Sequence, residues 1–389
     1  MKIFQKVLLT SSLFALSSAS FAETTNSLLK KKEKDSTSIF EKPILIANDL
    51  TSYSEFDTLK ITVTGTRTER LLKDFPGSIS VYDYEDLKKS NATNWRSLFK
   101  NDASIDSQEF VRSDNSRTYA KGDSGNINIR GLQGNRILTQ VDGVTIPRFN
   151  YGSGTFSASR LNFIDFNNFG KIEVLKGSGS SLYGSDALGG VVSLRTLRPD
   201  DLLEDGEDNS TNFDAKFNGI NNSYSPSLSI AIKENNNEFL FSGSYSKGKE
   251  LNRKTEKKYI NDIDSDLNSY LAKYIKKFEN NGEFMLSINL VDRNIDSIAS
   301  GYNSTGSYTA SNDYTDTKST RIVSRYNWNS GTDSILDSVD VSGYVWDGEY
   351  DNKWQVRNSA DTSDNEDTVD DLNQKIYGTN LKFTNNING

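Results

Sequence analysis

The chain has 389 residues, 34% of them hydrophobic, and a formal net charge of −8, enough for one large or two ordinary domains. With no histidine and no cysteine it lacks Ser-His-Asp and Cys-His catalysis, disulfides, thiolate metal sites and the commonest haem ligand, and its acidic balance speaks against nucleic acid as a partner. No apolar run of membrane-helix length follows the N-terminus, which excludes a helical membrane protein but leaves open a barrel, whose strands alternate apolar and polar residues.

Residues 1–22 read as a secretory signal peptide: Lys2 and Lys6 give a positive start, Val7 to Leu16 an apolar segment, and Ser20-Phe21-Ala22 a small-x-small cleavage site. The alternative is a buried N-terminal helix. Residues 23–56 are Lys-, Ser- and Thr-rich without periodicity, as in a flexible periplasmic leader, and Lys30, Lys31, Lys32 and Lys34 read as a solvated tether. The segment 57–66, DTLKITVTGT, is β-prone. On strand propensity alone it is either the first strand of the adjoining domain or an extended handle that could add to a partner's sheet.

Residues 67–200 then predict an α+β domain. Ser78–Asp83 is a strand, Tyr84–Lys89 a short helix, and Asn91 or Thr93 caps a second helix with Trp95, Leu98 and Phe99 at helical spacing. NINIRGL (Asn126–Leu132) and RILTQVDGV (Arg136–Val144) are strand-and-turn units. The domain closes with KIEVLKGSGSSLYGSDALGGVVSLRT (Lys171–Thr196), two alternating strands around a glycine-studded turn, with Ile172, Val174 and Lys176 on one face and Glu173 and Leu175 on the other. That is a packing signature, with the glycines allowing close backbone approach.

The spelling of these units resembles the plug of TonB-dependent outer-membrane receptors. The family's IRG strand, DG turn and IEV-G-YG-GG closing segment correspond to Arg130-Gly131, Asp142-Gly143, and Glu173 with Gly177, Tyr183, Gly184, Gly189 and Gly190; Lys171 stands where an arginine is more usual. KG-S-SSLYGS-ALGG followed by RT is similar to the haemoglobin/transferrin/lactoferrin (haem) receptor branch. The resemblance implies that the plug residues are structural. It further implies that Asp57, Thr58, Leu59, Lys60, Ile61, Thr62, Val63 and Thr64 form the box gripped by TonB, acting with its ExbB/ExbD complex. It makes haem, haemoglobin or another iron carrier the ligand, with haem as cargo and no bound cofactor. Siderophores or other metal complexes are the second cargo class.

Residues 201–389 change texture. Eight strands are predicted: 212–218, 227–233, 238–246, 266–278, 283–292, 319–328, 337–348 and 374–384. Clean period-2 faces include Leu228/Ile230/Ile232, Tyr270/Ala272/Tyr274 and Phe284/Leu286/Ile288/Leu290, and aromatic residues gather near strand ends. Short turns alternate with long polar loops at 247–265, 293–318 and 349–373, as in an outer-membrane barrel in contact with lipid; a soluble β-sandwich is the alternative. The fold class expected is thus an α+β plug followed by an incomplete antiparallel transmembrane β-barrel, about 8 of the family's 22 strands. Eight strands cannot surround a plug. The chain is therefore expected to be the N-terminal part of a longer receptor, not transport-competent alone, because an open sheet in lipid leaves edge groups unsatisfied. A secreted β-rich adhesin or binding module is the alternative of another class.

Nothing here points to an enzyme. Gly177-Ser178-Gly179 is not a dinucleotide loop, because Leu182 takes the third glycine position. Asp262, Asp264 and Asp266 mimic a calcium loop, but Leu267 and Lys273 occupy the obligatory glycine and glutamate places, so a solvated acidic loop is expected, as it is for 361–371.

Overall fold

A computed structural model describes residues 61–62, 70–92, 95–107, 127–146, 149–150, 157–158, 163–219, 222–249, 260–302, 308–330, 337–358 and 366–384, all within one unit from Phe56 to Gly389. It opens with a short antiparallel pair, β1 (Ile61–Thr62) and β2 (Arg70–Leu71). β3 (Ile79–Asp83) leads into α1 (Tyr84–Ser90), which starts at a reciprocal capping box: Asp86 N–H donates to Asp83 Oδ1 (3.0 Å) and Asp83 N–H to Asp86 Oδ2 (3.2 Å). Asn91 closes this helix at φ +48° instead of opening the next one, and Thr93 lies outside the described residues. An asparagine tolerates the left-handed geometry that a helix end needs, which sequence spacing does not reveal.

α2 (Trp95–Phe99) comes next, then β4 (Ile105–Ser107), β5 (Ile127–Ile129), β6 (Leu132–Gln133), β7 (Ile137–Val141), β8 (Val144–Thr145), β9 (Phe149–Asn150), β10 (Ser157–Ala158), β11 (Phe169–Lys176), α3 (Ser180–Tyr183) and β12 (Gly190–Thr196). The central sheet has the order β3-β11-β12-β7-β8, with β12 parallel to β7 and the other neighbours antiparallel. Side chains alternate in facing, but burial does not, because both faces of β11 are covered: Ile172 and Val174 join a core with Trp95, Leu98 and Phe99, while Leu175 packs with Leu138, Ala187 and Val191. Glu173 is buried too, with its carboxylate 3.0 Å from Lys171 Nζ.

Asp102 ties this domain together through Lys176 Nζ (2.6 Å), Ser104 Oγ (2.5 Å) and Ser80 Oγ (2.7 Å). Burial pushes its carboxyl up, but the Lys176 ammonium and the serine donors outweigh it and hold the group well below the ordinary carboxylate value. The folded value being the lower one, this contribution to stability is whole above about pH 4 and drains away as pH falls through the folded value. An Asp102→Asn protein should therefore show a flatter Tm-against-pH curve than the parent below about pH 4.

The remainder is one antiparallel meander: β13 (Asn209–Asn218), β14 (Ser223–Glu234), β15 (Asn237–Lys249), β16 (Ile260–Lys277), β17 (Gly282–Tyr302), β18 (Tyr308–Asn329), β19 (Ser338–Asn358) and β20 (Glu366–Thr384), each paired with its sequence neighbour. Its burial is inside out for a water-soluble protein. Phe213, Phe217, Phe239, Phe241, Tyr270, Ile288, Leu290, Tyr377, Leu381 and Phe383 are exposed on one face, whereas Ser229, Ser242, Ser269, Lys273, Ser287, Asn289, Thr317 and Arg321 are buried on the other. An apolar face this large needs lipid, and the polar face needs a polar filling. The filling is the plug: Phe163 meets Trp346 edge to face at 5.4 Å, and Leu197 and Leu202 pack on Ala231, Leu240 and Leu271. Near the short turns, Phe239 with Tyr274 (5.1 Å), Tyr274 with Phe284 (6.5 Å) and Phe278 with Tyr326 (6.1 Å) form an aromatic girdle. The fold is a plug followed by an antiparallel, partial barrel.

All eight strands stand where the alternation places them, yet the long loops are mostly strand. β16 to β19 run 18 to 22 residues, against about 9–11 needed to cross a bilayer. Hydrogen-bonded ladders continue past the apolar belt, where Leu290 on β17 gives way to Asp292 and Tyr270 on β16 to Asn268 and Asp266. Apolar alternation ends with the lipid, so a reading based on it stops too early. Asp262, Asp264 and Asp266 accordingly lie on β16, not in a loop; a strand spaces them along one face at roughly 6–7 Å instead of wrapping them round an ion. The part of the 361–371 run from Glu366 onward belongs to β20.

Candidate functional site

Of the box residues, Asp57, Thr58, Leu59, Lys60, Val63 and Thr64 lie outside the described residues. Ile61 and Thr62 form β1, with Ile61 opposite Leu71 and Thr62 opposite Arg70. Extended backbone in a two-residue ladder can be exchanged for another strand at small cost.

The plug motifs are brought together in two groups. Arg130 and Gly131 (φ +51° and +87°) and Asp142 and Gly143 (φ +50° and +80°) each form the two-residue turn of a hairpin, with positive φ at both positions matching the twist of the flanking strands. The first hairpin packs on the closing segment. A Cβ on Gly189 would sit 2.7 Å from Leu132 Cβ, and one on Gly190 would sit 2.5 Å from the Leu175 carbonyl oxygen and 2.6 Å from Ile129 Cδ1. Gly177 N–H donates to the Gly189 carbonyl (3.2 Å), Gly189 N–H to the Arg136 carbonyl (2.8 Å), and Tyr183 and Gly184 end α3 through bonds to Gly179 (2.9 Å) and Ser180 (3.0 Å). Glu173 stands on β11 beside them, across from Ser193 and Val81.

Asp142 is linked to the wall through Thr196 of β12 instead. Its Oδ1 accepts from Thr196 N–H (2.9 Å) and its Oδ2 from Thr196 Oγ1 (2.7 Å), while Lys273 Nζ donates to the same Thr196 Oγ1 (2.6 Å). Lys273 and Arg321 are buried wall residues, each 4% exposed, and Arg321 Nη2 donates to Asn289 Oδ1 (3.0 Å). Burial pushes the Asp142 carboxyl up, but Lys273, Arg321 and the two Thr196 bonds more than offset it and hold the group below the usual carboxylate range. A side chain that sequence reasoning treats as part of a turn also acts electrostatically on the wall cations that lie beyond Thr196.

Two further contact zones flank it. The loop before β11 is clasped by wall hydroxyls: Ser244 donates to Asp165, Asn168 donates to Ser269 (2.6 Å) and accepts from Ser242 (3.1 Å), and Asn167 donates to Ser225 (2.8 Å). After β12, Arg195 grips Asp201 through two bonds (2.9 and 2.7 Å) and Arg198 pairs with Glu283 on β17 (2.7 Å). Sequence reasoning did not single out Thr196, Lys273, Arg321, Arg198, Glu283, Asp165 or Asn168 as contacts. For Lys273 and Arg321 a signal existed, since a cation at an inward position of a strand with apolar outward neighbours implies an inward counter-charge. Among the described residues, no three side chains of metal-ligating type come together.

Residues 72–191 match the family model of the TonB-dependent receptor plug domain. The chain is 30% identical over 200 residues to lactoferrin-binding protein A of Neisseria meningitidis serogroup B, covering 49% of this chain and 20% of that protein. It is 31% identical over 136 residues to the vitamin B12 transporter BtuB of Vibrio vulnificus (35% and 20%), and 42% identical over 80 residues to heme/hemopexin utilization protein C of Haemophilus influenzae (21% and 10%). In fold it is similar to FpvA of P. aeruginosa bound to a pyoverdine, with a TM-score of 0.55 at 12% identity, over 86% of this chain and 53% of that one. The chain thus spans about a fifth of the length of the first two relatives and about half of the solved structure. These relatives are binding proteins and transporters, not enzymes, and the plug seated on an inside-out wall makes this a protein of the Gram-negative outer membrane.

Proposed function

We propose that the chain provides the plug and opening barrel strands of a TonB-dependent receptor that takes up haem, or iron from an iron-carrying host protein, across the outer membrane. One observation carries this reading: a plug-type glycine sheet fills the polar side of a lipid-facing wall and is bonded to it through Thr196, Asp165 and Arg198. Residues 1–22 act as the export signal and 23–56 as the tether. TonB, driven by its ExbB/ExbD complex, pulls on 57–64, and work enters as force on a paired strand instead of through bond chemistry. The plug glycines brace the sheet that is pulled. An adhesin would have no use for an apolar outer face backed by a polar inner one.

The spelling of Lys176–Arg195 and the matches to a lactoferrin-binding protein and a heme/hemopexin utilization protein support haem or host iron as cargo. The match to a vitamin B12 transporter favours a second reading, a metal complex of other chemistry, siderophores included. Growth on haemoglobin against growth on a siderophore as sole iron source separates them. For the handle, Ile61→Pro removes a ladder donor and should abolish capture of the chain by the purified periplasmic domain of TonB. Undiminished capture would move the handle elsewhere.

A further inference from the structure

The inward face of the wall carries cations of two kinds. Arg325 pairs with Asp340 and Lys277 with Glu238 (2.6 Å), so these bring their counter-ions on the wall itself. Lys273 and Arg321 do not. Among the described residues neither makes a salt bridge with a wall carboxylate: their bonds go to plug Thr196 and to neutral Asn289, and the carboxylate that acts on both is Asp142 of the plug. Lys216, which donates to plug Asn167 (3.1 Å), stands between the two kinds, acted on by plug Asp165 and by Asp214 of its own strand. Ser242, Ser269, Ser287 and Asn289 are buried neutral side chains on the same inward face, and Arg195, Arg198 and Asp201, which follow Asp142 in chain order, also act electrostatically on Lys273.

Two buried cations on one surface, neutralised by a part that is meant to leave, define a binding surface whose ligand is absent while the plug is seated. We propose that the wall behind the plug, centred on Lys273 and Arg321, selects an anionic cargo such as a carboxylate-bearing metal chelate, and that Asp142 stands in for that cargo until the plug is displaced. This rests on the reading of the plug as a movable stopper. Displacement uncovers two cationic donors of fixed position on one wall of the passage, where they attract an anion and repel a cation. The hydroxyl lining supplies exchangeable hydrogen bonds without adding charge.

The test uses Ser287→Cys in the complete receptor that carries this chain, in the outer membrane of intact cells, with any other cysteine replaced by serine. Ser287 lies opposite Lys273 on the inward face, is 2% exposed, and its cysteine would be unique in a chain that has none. Its labelling rate is measured with an anionic sulfonatoethyl and a cationic trimethylammonioethyl methanethiosulfonate, each normalised to free cysteine, with and without an energised inner membrane. The expected result is labelling that requires energisation and favours the anionic reagent by about tenfold. That preference should be lost when Asp142→Asn, Lys273→Gln and Arg321→Gln are added together, a combination that removes the buried charges from both sides so that the plug still seats. Energised labelling with no anionic preference, or with the same preference in the combined variant, overturns the inference and leaves the receptor reading standing. Labelling that ignores energisation, or none at all, overturns the movable plug and the inference with it.

Discussion

Asp142→Ala is expected to loosen the plug from the wall by about 3 kcal/mol, because two buried cations lose a carboxylate that acts on them. The loss comes from what remains. Lys273 and Arg321 stay buried without the one carboxylate that acts on both, and Thr196 loses the acceptor that orients its hydroxyl toward Lys273. Asp142→Asn should cost less, since an amide oxygen can still accept from Thr196. The measurement is limited proteolysis of the plug in the membrane-embedded protein: Ala should raise the cleavage rate by roughly a hundredfold, as about 1.4 kcal/mol is a factor of ten, and Asn by less. Equal, wild-type rates for both would mean that the plug is held by the hydroxyl clasp and Arg198 instead.

Gly190→Val is expected to be the most damaging change within the plug itself. A Cβ there meets the Leu175 carbonyl at 2.5 Å, and a backbone atom in the middle of a five-stranded sheet cannot step aside as the end of a side chain can. Overpacking of this kind costs about 3 kcal/mol and should separate β12 from β11. Gly131→Ala is the contrasting case: nothing lies within 4 Å of its added Cβ, and only the φ of +87° is strained, for about 1–2 kcal/mol. Thermal unfolding of the detergent-solubilised chain should rank Gly190→Val well below Gly131→Ala, although both glycines belong to the same family spelling.

Much of this architecture was legible from residues alone. The inside-out wall follows from Leu228/Ile230/Ile232 and Phe284/Leu286/Ile288/Leu290, because period-2 alternation is set by backbone geometry and the face is chosen by lipid. The turns at Arg130-Gly131 and Asp142-Gly143 follow from local φ requirements. Helix α1 announced its start and hid its end, since Asp83 has a local mate in Asp86 while the left-handed state of Asn91 has no mark of its own.

What the residues alone determined, then, is each property that depends on neighbours close in sequence: strand alternation, hairpin turns and the glycine spelling of the plug. Only the tertiary structure decided which charges meet. Asp142 and Lys273 belong to different parts of the fold and share one hydroxyl of Thr196, and no local periodicity encodes that meeting. It decided as well how far the strands run beyond the lipid, because ladder hydrogen bonds persist wherever two strands are already aligned, whatever side chains they carry.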